Sequence, residues 1–317
     1  MKKIFGLAAP LSIIATTAFA ADTAVGKLEP YGNISLLSFT EQGDGDSLNM
    51  WVVDFGIRLP SLITSGPLTY GFYVGYDGLD SVPTDSVAGS GYGTAAVTLE
   101  AGPHLVSVGV PRSVIHDTFG RGDVTSTILQ DSDVFFSDWT RLTRLSTGVS
   151  HRGMSSIYGL RYDGHFDKTA LSVGLFSGDF ADENIQSMQA TLKHEIGRLS
   201  FRAGLERLHG GYTMNSYLLG TTAQFDKLSV GLDVFVFNMQ DSNLKSAQMF
   251  GSYKISENIL VGASYLVADE AADSLKSSTL GIEYAQSNGT YARLTGLFGS
   301  GDGADSDAYE LAVGLRF

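Results

Sequence analysis

The chain has 317 residues, 21 Lys and Arg against 34 Asp and Glu, a formal charge of −13 and no cysteine. The missing cysteine excludes a disulfide scaffold and thiolate chemistry, and the acidic balance argues against a nucleic-acid partner, which calls for a basic footprint. At 43% hydrophobic, with 18 Phe and 14 Tyr, the chain is not disordered, and its 38 glycines follow no triplet period of the collagen kind.

The first twenty residues predict a secretory signal peptide. Lys2 and Lys3 form a positive start, Ile4 to Phe19 is apolar, and Ala18-Phe19-Ala20 is an A-x-A site that predicts cleavage after Ala20. Residues 21–317 are then expected to form one exported domain. No run of about 18 apolar residues follows, so no helical membrane span is expected. What recurs instead is alternation with a period of two, the pattern of a strand with unlike faces. Trp51, Val53, Phe55, Ile57 and Leu59 interleave with Val52, Asp54, Gly56 and Arg58; Leu228, Val230, Leu232, Val234 and Val236 interleave with Ser229, Gly231 and Asp233.

Sixteen strands are predicted, near 30–39, 50–59, 67–77, 93–101, 104–112, 156–166, 169–177, 186–196, 199–208, 216–225, 228–237, 247–256, 259–268, 278–286, 290–298 and 308–317. Tight turns such as Asp167-Lys168, Gly197-Arg198 and Asp226-Lys227 follow even-numbered strands. Longer, acidic and glycine-rich loops are predicted at the other end, among them Glu41 to Asn49, Asp269 to Ser277 and Gly299 to Asp307. The longest connection, Ser113 to Ser155, contains a stretch, Arg141 to His151, that reads equally as loop or as an extra strand.

Alternating strands fit either a soluble sandwich or a transmembrane barrel. A barrel uses about 9–11 residues per strand, an even strand number, and short turns on one side with long loops on the other. The sequence meets these conditions. Because hydrocarbon cannot satisfy backbone groups, such a sheet must close on itself, and sixteen strands enclose an aqueous channel. The expected fold is therefore all-β: a transmembrane antiparallel barrel of 16 strands.

The final strand, with Tyr309, Leu311, Val313, Leu315 and Phe317 at every second position, resembles the C-terminal strand of bacterial outer-membrane proteins. Together with the strand count, the loop alternation and the one very long loop, the chain resembles the Gram-negative general-diffusion porins, most of all the alphaproteobacterial branch. The resemblance implies a homotrimer in outer-membrane lipid, a third loop folded into the lumen, and recognition of the last strand by the barrel-assembly machinery. It also implies that neighbouring subunits pack on the face carrying Trp51, Phe55, Tyr70, Phe72 and Tyr76, with the loop from Gly78 to Tyr92 reaching across.

On that reading the loop acids Asp117, Asp123, Asp131, Asp133 and Asp138 are candidates for a pore constriction. The alternation assigns Arg58, Arg161, Lys193, Arg202 and Arg293 to the lumenal wall, with Arg316 at the tight-turn end. Opposed rows of charge would set a transverse field and bias ion selectivity. The expected activity is passive diffusion of ions and small hydrophilic solutes. The alternatives are a substrate-specific channel, a structural or adhesive barrel with a plugged lumen, and a barrel hydrolase. No G-x-S-x-G, H-E-x-x-H or P-loop motif is present, and the six histidines show no metal-ligand spacing. No enzyme activity and no cofactor are expected; Asp302, Asp305 and Asp307 are a weak candidate for structural Ca²⁺.

Overall fold

The computed structural model describes residues 22–23, 26–41, 47–81, 90–120, 124–125, 155–180, 183–210, 213–239, 243–270, 273–301 and 307–317. The expected leader and its cleavage position lie outside these residues. After a two-residue ladder joining Asp22–Thr23 to Gly26–Lys27, sixteen strands follow: β1 (Glu29–Glu41), β2 (Ser47–Ser65), β3 (Leu68–Ser81), β4 (Ser90–Ala101), β5 (His104–Val110), β6 (Ser155–Phe166), β7 (Thr169–Phe180) and β8 (Glu183–Ile196). The second half is β9 (Leu199–His209), β10 (Thr213–Phe225), β11 (Leu228–Met239), β12 (Asn243–Lys254), β13 (Ile259–Glu270), β14 (Asp273–Ala285), β15 (Thr290–Gly301) and β16 (Asp307–Arg316). Each pairs antiparallel with its chain neighbours, and β16 pairs with β1 to close the barrel. A short helix, α1 (Val114–Phe119), sits in the long connection between β5 and β6.

Most strands are longer than predicted, commonly 12–14 residues, whereas β5 ends at Val110, two residues short of its expected end. The expected loop from Asp269 to Ser277 is therefore corrected: β13 and β14 continue through it in register, pairing Glu270 with Asp273. Unlike the other long loops expected at that end, this stretch holds no glycine, and only its acidic and Ser residues suggested loop; cross-strand pairing carries the backbone onward past any apolar patterning. The same extension shortens the connections between β7 and β8, between β9 and β10, and between β11 and β12 to two or three residues. The β5–β6 connection is by far the longest. β2 also overruns its predicted end by six residues, through a register shift between Leu59 and Ile63 that accommodates Pro60, a residue unable to donate to a ladder. The stretch from Arg141 to His151, the open question of an extra strand, lies outside the described residues.

Alternation sorts side chains as expected. On β8, Ser187, Gln189 and Thr191 are buried inward while Met188 and Leu192 are exposed outward. Leu219 and Met249, each 62% exposed, and Leu280, 57% exposed, belong to the same outer apolar surface. No helix among the described residues is long and apolar enough to cross a membrane; the strands form a continuous apolar exterior.

Candidate functional site

The lumen is not evenly filled. α1 begins at Ser113, whose Oγ accepts from the His116 backbone N–H at 3.3 Å. A single wall residue, Gln189 on β8, holds this end. Its Oε1 accepts from Ser113 Oγ at 3.0 Å and from the Val114 N–H at 2.9 Å, while its amide donates to Glu206 Oε1 on β9 at 2.8 Å. Ser187 Oγ also donates to that oxygen, at 3.1 Å. Gln189 is fully buried, so its amide satisfies helix donors that would otherwise be orphaned away from water.

The apolar face of α1 presents Ile115 and Phe119 to Leu218, Phe235, Phe237, Leu244 and Ala268 on the wall. Phe119 meets Phe235 edge-on at 6.3 Å, and Phe235 stacks on Phe237 at 6.3 Å. The close approach needs Gly204: a Cβ there would meet Phe119 Cε2 at 2.7 Å. Farther round, Val124 is fully buried against β13 and β14, where a Cβ on Gly281 would meet the Val124 carbonyl oxygen at 2.5 Å. The described part of the connection thus lies inside the barrel, fixed at two places. Phe235 and Phe237 continue the inward series Ser229, Gly231, Asp233 on β11, and that continuation is the sequence signal that would have found them.

The opposite side of the lumen is polar. A cavity of about 460 Å³ lies between α1 and β1–β6, lined by Tyr31, Arg58, Tyr73, Glu100, Arg112, Asp117, Arg161 and Asp163 among others. Asp117 reaches out from α1 and bridges two bases: it pairs with Arg161 Nη1, and Arg112 Nε lies 3.4 Å away. Arg161 is gripped from behind by Asp163, with Nε to Oδ2 at 2.8 Å, and Asp163 also accepts from Ser172 Oγ at 2.6 Å. Arg112 crosses to Asp54 on β2 at 2.8 Å and lies over the Tyr31 ring at 5.7 Å. Burial pushes the Asp117 carboxyl up, but the Arg161 and Arg112 guanidiniums outweigh it and hold the group below the usual carboxylate range.

The other predicted wall bases face inward but meet different partners. Arg202 donates to Asp233 at 2.9 Å and to the Thr118 carbonyl at 3.4 Å, with its guanidinium 5.4 Å from the Phe119 ring centre. It therefore clamps the C-terminal turn of α1. Arg58 pairs with Glu29 at 2.8 Å, and Lys193 with Glu195 at 2.8 Å, both well exposed towards the tight-turn mouth. Arg293 is buried against Glu283 at 2.9 Å, and Arg316 joins the same carboxylate at 2.6 Å. Among the described residues, Arg161 alone of the predicted wall bases meets a predicted loop acid. Asp123, Asp131, Asp133 and Asp138 lie outside the described residues, as do Asp302 and Asp305; Asp307 opens β16 opposite Phe298. Sequence reading missed the wall acids Asp54, Asp163, Asp233 and Glu283, although the last three share inward parity with the bases they pair, Arg161, Arg202 and Arg293; Asp54 pairs with Arg112, which lies beyond the end of β5.

On β16, Tyr309, Leu311 and Val313 face outward and are about half exposed, and Leu315 pairs with Ile34 of β1. The Phe317 N–H donates to the Gly32 carbonyl at 3.0 Å, and its ring meets Phe55 at 5.3 Å. Among the described residues no group of three or more His, Asp or Glu is disposed to hold a metal ion.

No protein-family model matches the sequence, and no curated protein matches it significantly. Among solved structures, the chain is similar to a loop-L8 deletion mutant of OmpT, an outer membrane protein of Vibrio cholerae: TM-score 0.68, 12% identity, covering 92% of this chain and 100% of that one. OmpT described as a trimer form gives TM-score 0.66 at 12% identity, with 92% and 100% covered. A triply substituted porin from Rhodopseudomonas blastica gives TM-score 0.64 at 15% identity, again with 92% and 100% covered. At these identities the likeness is one of fold: the chain is a closed, 16-stranded antiparallel β-barrel built like outer-membrane barrels and porins.

Proposed function

We propose that this protein is an outer-membrane porin, a water-filled channel for passive diffusion of ions and small hydrophilic solutes, acting without a cofactor and without catalysis. The observation that carries the reading is the uneven lumen. α1 packs against one wall, and a charged cavity remains beside the other, bounded by Asp117, Arg112, Arg161 and Asp163. An apolar exterior suits lipid, and a polar interior of ion pairs suits water and hydrophilic solutes. A homotrimer is part of the proposal, supported by the trimer form among the similar structures and by the outward aromatic face that includes Tyr70 and Tyr76. Acids outnumber bases in the chain, so we expect a modest cation preference.

Planar-bilayer recording on the purified, unboiled protein tests this. Stepwise openings in threes, with a reversal potential of cationic sign in a KCl gradient, are expected. Silence would reject the channel in favour of a plugged structural barrel, and saturable block by one solute class would favour a substrate-specific channel.

A further inference from the structure

The described barrel strands carry Lys and Arg mostly inward. Three face outward: Arg207 on β9, Lys245 on β12 and Lys276 on β14, all exposed. They share one position in the strand pattern. From the tight-turn end, β9 presents Leu199, Phe201, Ala203 and Leu205 outward, and then Arg207. β12 presents Tyr253, Gly251, Met249 and Ala247, and then Lys245. β14 presents Tyr284, Ile282, Leu280 and Ser278, and then Lys276. Each base thus caps four uncharged outward residues. At about 3.3 Å per residue along a strand tilted roughly 40°, eight or nine residues rise about 20–23 Å. That is close to the height of the apolar band, about 25 Å, so the three bases stand at its loop-end rim.

Two further features single out this arc. None of the three bases makes an ion pair among the described residues, whereas every inward base of the proposed constriction has a carboxylate partner. And β1–β8 present no outward Lys or Arg at all among the described residues. In a chain with a formal charge of −13, three unpaired outward bases on β9–β14 are a local reversal of sign. His209, beside Arg207 on the same face, contacts Thr213. The outward acids nearest the arc are Asp179 on β7, Asp269 on β13 and Asp307 on β16; Asp269 is in register with Lys245 but forms no ion pair with it.

We propose that Arg207, Lys245 and Lys276 form an arc that binds phosphate-bearing lipid headgroups in the leaflet at the loop end. Guanidinium and ammonium groups recognise phosphate oxygens through charge-assisted hydrogen bonds. Long side chains at this depth keep their stems against the apolar rows below while their heads reach the headgroup layer. The acyl chains of bound lipids then lie along the rows that begin at Leu205, Ala247 and Ser278. This proposal rests on the barrel lying in a membrane, not on its conducting, and it makes β9–β14 a lipid-facing arc.

Native mass spectrometry of the full-length protein from mixed micelles tests it, with lipid A and phosphatidylcholine as probes. Wild type is expected to retain lipid A at least threefold more than phosphatidylcholine. The triple variant R207Q/K245Q/K276Q should lose that preference, while R198Q/K227Q/K168Q, in the tight turns, should keep it. Heat-shifted electrophoretic mobility verifies that each variant is folded, and unchanged single-channel conductance separates this outcome from the porin reading. Equal lipid A retention in wild type and the first triple variant would overturn the proposal. So would full displacement of lipid A by millimolar inorganic phosphate, which would mark a free-anion site instead of a lipid one.

Discussion

The two sides of the lumen are built by opposite chemistry. Against β8–β14, α1 and Val124 are held as a protein core is held, with Ile115 and Phe119 among Phe235, Phe237, Leu218 and Leu244, Val124 against Gly281, and one buried amide satisfying the helix start. Against β1–β6, the same helix offers only Asp117, and the wall answers with Arg112 and Arg161 backed by Asp54 and Asp163. The apolar side supplies position, because burial is non-directional and strong in sum. The polar side supplies the electric character of the space that remains. One six-residue helix therefore separates anchoring from charge by its two faces.

Breaking the anchoring side should have the largest effect. Phe119→Ala removes a fully buried aromatic, a change that typically costs about 3–5 kcal/mol, equivalent to a shift of about two to nearly four powers of ten between docked and undocked helix. Single-channel recordings should show larger, noisier openings; a trace identical to wild type would mean that the helix does not bound the pore. Gln189→Leu should follow. It strands the Ser113 and Val114 donors and uncouples Glu206, at about 1–3 kcal/mol for each buried group left unsatisfied. Limited proteolysis within residues 113–155 should accelerate in the folded barrel, whereas an unchanged cleavage rate would assign the anchoring to the aromatics alone.

The polar side should yield a smaller, electrical signature. Asp117→Asn removes the acid shared by Arg112 and Arg161, so reversal potentials should move towards anions while the unit conductance changes little. A double-mutant cycle with Arg112→Gln should give a coupling of about 0.5–3 kcal/mol, and strict additivity would place the two groups in separate circuits. The pH dependence follows from the depressed Asp117 carboxyl. Its ion pairs are present above the ordinary carboxylate value and are lost as pH falls through the lowered one. Selectivity should thus stay flat from pH 7 to about 4 and change only below that. A midpoint near pH 6 would point to a histidine instead. Least of all, Arg58→Gln breaks an exposed pair with Glu29 and should alter stability by at most about 1 kcal/mol, read as a melting shift near the noise of the assay.

The barrel was legible because it rests on a local, repeated signal. Alternation of the kind seen at Leu228 to Val236 fixes which residues face out, and turns such as Asp226-Lys227 fix where a strand reverses. Strand ends were less legible, since pairing between polar residues such as Lys276 and Ser300 extends a ladder without any hydrophobic pattern. The inward parity of Arg58, Arg161, Lys193, Arg202 and Arg293 was readable for the same reason as the barrel. Their partners were not, because Glu283 meets Arg293 and Arg316 across three strands, a relation set by register instead of by spacing along the chain. Asp117 could be named from its loop, but its role depends on α1 turning Phe119 one way and the carboxylate the other.

The seam between β1 and β16 has a kinetic consequence. Every other neighbouring pair joins consecutive strands, whereas the seam pairs Asn33 with Arg316 and Glu41 with Ala308. Contacts so distant in the chain carry a heavy loop-closure cost and are slow to nucleate. The consecutive hairpins can zip progressively, but the molecule gains a finished perimeter only when its two most separated strands meet. Until then two rows of backbone N–H and C=O groups stand open, which hydrocarbon cannot solvate. Closure is therefore the committing step of assembly, and after it, unfolding from either margin must first reopen a ladder that has no free end from which to fray.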